Sequence, residues 1–447
     1  MPLNRKIYQK MLDWKAKRAP ACALFLKGPR LTGKTELAKR LGREAYRSFV
    51  LVSFDKAAHD FYGIRELFAD GHPDPDVFCA GLQLITKTRL YPGESLVILD
   101  GVEQFPPARQ ALEVLLKDGR FDYVETGAAA PAEMCPPYES VPIEEHVIEV
   151  PPLNFEEWLN ATGHEEAFQL IRERRDNLKP FGPALPRLMA AFRMHLLVGG
   201  MPEAVAVWSE ARDLESVDAA KQRILSFWIL DVASRGAGSQ LARAFFERIP
   251  AELSSPSKRY RLSHLGPHAR LREYARQIAW LEDSRMVSLS RKAADPAAPG
   301  FVPDGSAFKA HLTDTGLLAT LSSPRWPYTD NHLYREALLR GPDAGNGLLL
   351  ENFTAQCLHA KEGENFFYSE RNPVNRASTM EIDFLLKRNG KAVPVVALRR
   401  GRDSVKSLKT FKEKFGDAAG DLIALHEGDV RQEDGVLFLP YFMAAVL

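Results

Sequence analysis

Near the N-terminus, Gly28-Pro29-Arg30-Leu31-Thr32-Gly33-Lys34-Thr35 carries the pattern G-x-x-x-x-G-K-[ST] in full. Glycines let a backbone approach an anion closely, and successive N–H groups of such a loop converge on phosphate oxygens. A helix that begins there turns its positive end toward the same charge. Lys34 is placed to reach terminal phosphates, and the Thr35 hydroxyl to ligate Mg²⁺. These eight residues predict a nucleoside triphosphate site, with ATP and Mg²⁺ as its occupants. Leu96-Val97-Ile98-Leu99-Asp100 is an apolar run that ends in a carboxylate. Asp100 is therefore expected as a second group toward Mg²⁺, the simpler alternative being a turn cap at Gly101. Hydrolysis needs one more group, to orient water. Gly101 has no side chain, so Glu103 is the candidate catalytic carboxylate, weighed against a solvated loop glutamate.

The surrounding pattern supplies the elements that must hold these residues. A basic amphipathic helix is expected to about Arg18, with Ile7, Met11 and Trp14 at helical spacing. Short apolar strands at Ala23–Leu26, Phe49–Val52, Ser95–Leu99 and Tyr123-Val124 alternate with helices, which implies a doubly wound, mainly parallel sheet. From Phe155 to about Asp231 the periodicity is helical. Three short helical segments between Leu241 and Ser290, then a hairpin with a long Pro/Ala/Gly tip at 293–305, outline a winged helix. A helix over Leu348–Leu358 and strands at 366–368, 382–386 and 393–398 end the chain. The reading is a multidomain α/β protein. A P-loop NTPase parallel sheet covers 1–150, a helical segment 151–235, a winged helix 236–325 and a mixed α/β domain 326–447.

Composition narrows the classes. The chain has 447 residues, net charge +1 and four cysteines, Cys22, Cys79, Cys135 and Cys357, none in a C-x-x-C pair. Neither a structural zinc site nor a disulfide framework is expected, and a reducing cytoplasm fits. With no signal-peptide core and no long apolar run, no membrane span is expected.

The ordered set GPRLTGKTELA, LVILDGVEQFP, DGRFDYVETGA, PPLNFEEWL, LVGGMPEAV, FKAHLTDTGLLA, GLLLENF and EIDFLL resembles a prokaryotic family of AAA-type ATPases. These carry a C-terminal domain of unknown function with a restriction-endonuclease-like fold. The resemblance implies ATP binding and assembly as a homo-oligomer, although no arginine announces itself as one shared between subunits. It also shows departures. Gly101 stands where the family has Glu, Ala128 where it has a sensor serine, and Val396-Ala397-Leu398 where it has Glu-x-Lys. Glu351 and Asp383 match the family's nuclease carboxylates and would form a degenerate metal site. Glu381 could add a carboxylate but not the missing amine. The resemblance thus implies slow or absent ATP hydrolysis and no nuclease activity.

Other clusters have two readings each. Lys258, Arg259, Arg261, Arg270, Arg272 and Arg276, and the run Arg399, Arg400, Arg402, Lys406, Lys409, Lys412 and Lys414, suit DNA or RNA phosphates or a solvated face. Asp314 before Thr315-Gly316 reads as a helix N-cap, and Gly199-Gly200-Met201-Pro202-Glu203 as a break between helices. Glu144-Glu145-His146 reads as charged loop rather than as metal ligands, and Phe155, Trp158, Phe192 and Trp208 as core.

Overall fold

The computed structural model describes residues 3–19, 21–54, 61–68, 71–128, 145–234, 238–267, 269–323, 328–340, 344–371, 379–399 and 404–447. Cys135, Glu144, Arg400 and Arg402 lie outside them. The chain forms two compact units. One comprises Asn4–Pro151 with Ala279–Met286, the other Pro152–Ile278 with Val287–Leu447.

In the first unit, α1 (Ile7–Lys17) precedes β1 (Ala23–Lys27), α2 (Lys34–Ala45), β2 (Ser48–Ser53), α3 (Phe61–Glu66) and α4 (Pro75–Thr86). Then come β3 (Ser95–Asp100), α5 (Pro107–Asp118), β4 (Asp122–Gly127) and β5 (Glu145–Glu149). The strands form one parallel sheet in the order β2-β3-β4-β1-β5. Strands buried on both faces should be continuously apolar, and β3 is. One face packs Leu24, Leu96, Ile98 and Val124 against Met11, Trp14, Leu37 and Leu41. The other packs Phe25, Val97, Leu99 and Tyr123 against Phe78, Leu82, Leu112 and Leu115. The register pairs Lys27 with Gly127 and Asp100 with Thr126, so the loop and the acidic residue emerge at the same C-terminal sheet edge. Ligands of open parallel sheets bind at that edge. Glu145 and His146 belong to the edge strand β5 rather than to a loop.

The second unit begins with helices α6 (Phe155–Ala161), α7 (Ala167–Asn177), α8 (Leu185–Val198), α9 (Pro202–Ala211), α10 (Leu214–Ser234) and α11 (Ser239–Leu253). The next helix, α12 (Leu271–Asp283), starts in this unit, and its last turn belongs to the first. There follow β6 (Val287–Ala293), β7 (Pro303–Leu312), α13 (Thr315–Leu321), α14 (His332–Arg340) and α15 (Ala344–Glu362). The chain ends with β8 (Asn365–Arg371), β9 (Thr379–Arg388), β10 (Lys391–Ala397), α16 (Ser404–Phe415), β11 (Leu422–His426), β12 (Arg431–Glu433) and β13 (Val436–Pro440). All eight strands form one mixed sheet, β12-β13-β11-β10-β9-β8-β6-β7. The hairpin expected to be the wing of a separate 236–325 domain is thus built into the C-terminal sheet, where β6 pairs in parallel with β8.

The repeated glycines of this unit answer to one buried carboxylate. Asp314 caps α13 through Leu317 N (2.7 Å) and also accepts from Gly200 N (2.6 Å). A Cβ on Gly199 would meet the Asp314 carboxylate at 2.3 Å, and one on Gly200 would meet Leu153 O at 2.0 Å. Pro202 opens α9, as expected. Phe155, Trp158 and Phe192 pack with His195 and Phe353 in the core, while Trp208 is half-buried.

Candidate functional site

The loop Gly28–Gly33 leaves β1 and enters α2, whose first residue is Lys34. Gly33 (φ +90°) turns the chain into the helix. Lys34 Nζ donates to the carbonyls of Gly28 (2.9 Å) and Pro29 (2.6 Å), so the ammonium is held across its own loop by neutral acceptors. Thr32 Oγ1 ties the loop to Pro29 O at 3.0 Å. Sequence reasoning missed Arg5, whose guanidinium donates to Thr32 O (3.1 Å) and Pro151 O (2.6 Å) and clasps the loop from outside. Its signal, one arginine beside a helix start, is too weak to read in a sequence.

Asp100 lies where expected. Its Oδ1 accepts from Thr35 Oγ1 and from Thr126 Oγ1, both at 2.6 Å. A carboxylate and two hydroxyls form an oxygen donor set that suits Mg²⁺, a hard cation. Thr126 is the second residue that sequence reasoning missed. Ala128 lacks the expected hydroxyl, but Thr126, two positions earlier, brings one to Asp100 from the end of β4.

Gly101 adopts φ +79°, and its N–H donates to Thr126 O at 2.9 Å. A side chain there would be strained, which is a local reason for glycine after Asp100. Glu103 sits on the single turn Val102–Gln104, and its Oε2 lies 2.6 Å from where a Gly127 Cβ would be. Successive strand residues alternate faces. Glu103 therefore brings its carboxylate to the face of β4 that carries Glu125, whereas Thr126 and Asp100 meet on the other face. A Cβ on residue 101 would meet Gln104 Nε2 at 3.3 Å.

Glu125 itself is fully buried, with Arg109 Nε 3.0 Å from its Oε2. Arg109 also pairs with Glu145 and lies over the Phe25 ring at 4.8 Å. Burial pushes the Glu125 carboxyl up to about 8, with Arg109 opposing the shift.

The second unit holds a separate group of charges. Glu351 on α15 and Asp383 on β9 come together, but around two cations. Lys309 Nζ is 2.6 Å from Glu351, and Arg399 Nη2 is 3.2 Å from both Glu351 and Asp383. Asp383 Oδ2 also accepts from Ala397 N at 3.0 Å. All four side chains are buried. Burial alone would raise the Glu351 carboxyl, but Lys309, His311, Lys258 and Arg399 hold it well below the ordinary range. Lys258, expected on a solvated basic face, is buried beside this cluster, and burial lowers its amine to about 7.

Two sequence expectations are corrected here. The β8–β9 register shifts so that Asp383 and Phe384 together oppose Phe367. Val396 and Leu398 consequently pack into the apolar layer against Leu408 and Phe411, away from Asp383. The residues beside the carboxylates are Ala397 and Arg399. Arg399 restores the cation whose loss Leu398 implied, and it is not a surface phosphate contact. The degenerate metal pair is filled by the protein's own cations. No group of three or more His, Cys, Asp or Glu placed to hold a metal occurs among the described residues. Glu381 shares strand β9 with Asp383 but does not join the two carboxylates in such a group.

The remaining basic residues divide. Lys409 pairs with Asp434 (2.9 Å), Lys412 donates to Ala419 O (2.8 Å), and Lys414 pairs with Glu370. Cys22, Cys79 and Cys357 form no disulfide with one another, and among the described residues no helix is long and apolar enough to cross a membrane.

Residues 21–159 match an AAA domain, and residues 189–326 match a domain of unknown function. No curated protein matches the chain in sequence. Among solved structures, C. elegans PCH-2 is 15% identical over 48% of this chain, with a TM-score of 0.27, and the match spans 64% of PCH-2. Drosophila ORC bound to DNA is 16% identical over 69% of this chain and 92% of its own (TM-score 0.26). Cdc6p from Pyrobaculum aerophilum is 13% identical over 74% and 93% (TM-score 0.24).

Proposed function

From an AAA-type P-loop domain over residues 21–159, we propose that the protein binds ATP with Mg²⁺ and hydrolyses it slowly, loop occupancy setting the arrangement of its C-terminal domains. The observation that carries this reading is the meeting of Thr35, Thr126 and Asp100 beside Lys34 at one sheet edge. Gly28 to Gly33 would cradle the phosphates, Lys34 would leave its carbonyls for them, and Thr35 with Asp100 would hold the metal. When bound, Mg²⁺ would neutralise phosphate charge. Slow turnover follows from Gly101 and Ala128, which offer neither a carboxylate nor a hydroxyl to the attacking water.

Coupling has a covalent route. The last turn of α12 ends in the nucleotide unit, where Asp283 lies 3.5 Å from Lys27, the residue before the loop. Arg285 pairs with Glu149 at the end of β5. A change at the loop reaches these pairs first and then the chain leading to β6. The helical, winged-helix-like and nuclease-like regions over 151–235, 236–325 and 326–447 are the parts so moved. DNA or RNA and a second copy of the chain are their proposed partners, in the cytoplasm.

A second reading rests on Glu103. Its carboxylate, on the turn that follows Asp100 and Gly101, would orient the attacking water and make the protein a working ATPase. Fluorescent-ATP titration tests binding, and release of radiolabelled phosphate separates the two readings. Mass measurement with and without ATP and Mg²⁺ tests assembly.

A further inference from the structure

The second unit carries a cavity of about 690 Å³, open to solvent on one side, that belongs to neither charge site described above. Arg259 lies on its wall and donates through Nη2 to Ser369 Oγ at 2.7 Å. Its Nε is buried without a hydrogen-bond partner among the described residues, and so is Ser257 Oγ on the same wall. Buried polar atoms are nearly always partnered, by protein, water or ligand. Both atoms belong to side chains that line the cavity, so its wall carries polar groups that the protein itself does not satisfy.

The lining specifies the charge of that ligand. Arg259, Arg261, Lys292 and Arg371 face two carboxylates, Glu370 and Glu381. Lys292 is engaged by Asp304 (2.7 Å) and Glu370 by Lys414, which leaves the arginines as the dominant groups. A guanidinium presents a planar fork of donors that matches an oxyanion, and the serine hydroxyls add further donors. The excess of two positive charges matches a phosphate monoester, which carries about −1.5 to −2 near neutrality. The volume falls within the roughly 300–1,000 Å³ of small-molecule sites. Tyr260 also lines the cavity, with its ring stacked on Phe245 (4.2 Å) and Phe308 5.7 Å away. The charged lining places recognition on the phosphate.

We propose that this cavity binds the phosphate of a monoester ligand of about mononucleotide size, held by Arg259 and Arg261 with Ser257. The test is calorimetric titration of full-length Lys34→Ala protein, whose loop no longer competes, with inorganic phosphate, AMP, adenosine and acetate. Phosphate and AMP bind saturably, and adenosine and acetate do not. Adding Arg259→Gln or Arg261→Gln weakens AMP by about tenfold or more while the melting temperature holds. Arg261 is exposed, so its variant keeps the test sound should Arg259→Gln fail to fold. A 5′-phosphorylated oligonucleotide that binds more tightly than AMP assigns the phosphate to a nucleic-acid end, and preference for AMP assigns it to a free nucleotide. AMP failing to bind up to millimolar concentration, acetate binding equally well, or both arginine variants binding AMP like the Lys34→Ala parent overturns the proposal.

Discussion

The two charged centres of this chain use the same residue types to opposite ends. At the loop, Lys34 rests on backbone carbonyls and Asp100 accepts from two hydroxyls. These carbonyls and hydroxyls are neutral, and a phosphate and a divalent cation can replace them without stranding a charge. In the second unit, Glu351 and Asp383 are matched directly by Lys309 and Arg399. Withdrawing either cation would leave a buried charge uncompensated, which costs far more than exchanging a hydrogen bond. A lysine beside carboxylates is therefore no sign of a ligand site by itself. Whether its partners are exchangeable decides the matter.

Substitutions in the closed centre should have the largest effect. Arg399→Ala and Lys309→Ala are each expected to lower stability by about 3–5 kcal/mol, measured by urea denaturation. The parent should leave plasmid and single-stranded DNA or RNA uncut in Mg²⁺ and Mn²⁺. Cleavage that vanishes in Asp383→Ala would erase the contrast between the two centres. At the open centre, Lys34→Ala should leave stability nearly unchanged and weaken ATP by about a hundredfold or more, since charge-assisted contacts contribute about 1.5–3 kcal/mol each. Titration with fluorescent ATP checks this, and parent-like affinity would mean the loop is not the site.

Hydrolysis sharpens the comparison further. If Glu103 is the catalytic carboxylate, Glu103→Gln lowers steady-state phosphate release by about a hundredfold while ATP affinity holds. A parent turnover of around ten per second, typical of enzymes, together with loss in this variant, would replace slow hydrolysis by the second reading. Gly101→Glu, which the sequence alone suggests as a gain of activity, should instead cost about 1–2 kcal/mol, because its φ is +79°.

A pH dependence is also expected at Glu125. Its folded pKa of about 8 lies above the ordinary 4.5, so in that interval the folded chain keeps a proton that the unfolded chain has released. Its contribution is therefore full below the unfolded value and is lost as pH rises toward 8. Glu125→Gln, which mimics the protonated form, should melt like the parent near pH 5 and increasingly above it up to pH 8. Parallel melting curves across that range would assign the ionised form to the folded state throughout.

What was legible in the sequence was local. The loop, Asp100 at a strand end, the cap at Asp314 and the break at Gly199-Gly200 each depend on neighbours a few residues away. The closed centre depends on distance and register. Lys309 meets Glu351 across 42 positions, and nothing in the spacing joins them. The shift opposite Phe367 turns strand alternation by one residue, so counting along the chain assigns Val396 and Leu398 to the wrong face. At Gly101 the sequence shows only a missing side chain, whereas the backbone conformation that favours having none, φ +79°, appears only in the structure.

The nucleotide unit is discontinuous, its sheet lying within Asn4–Pro151 and its last piece at Ala279–Met286. During synthesis the loop emerges early, but Lys27 and Glu149 meet Asp283 and Arg285 only after the whole helical region has been made. The nascent chain thus carries an unfinished nucleotide unit while α6 to α12 fold. A fragment cut at residue 159 would lack the same closing segment, and it should be less resistant to proteolysis than the unit within the full chain.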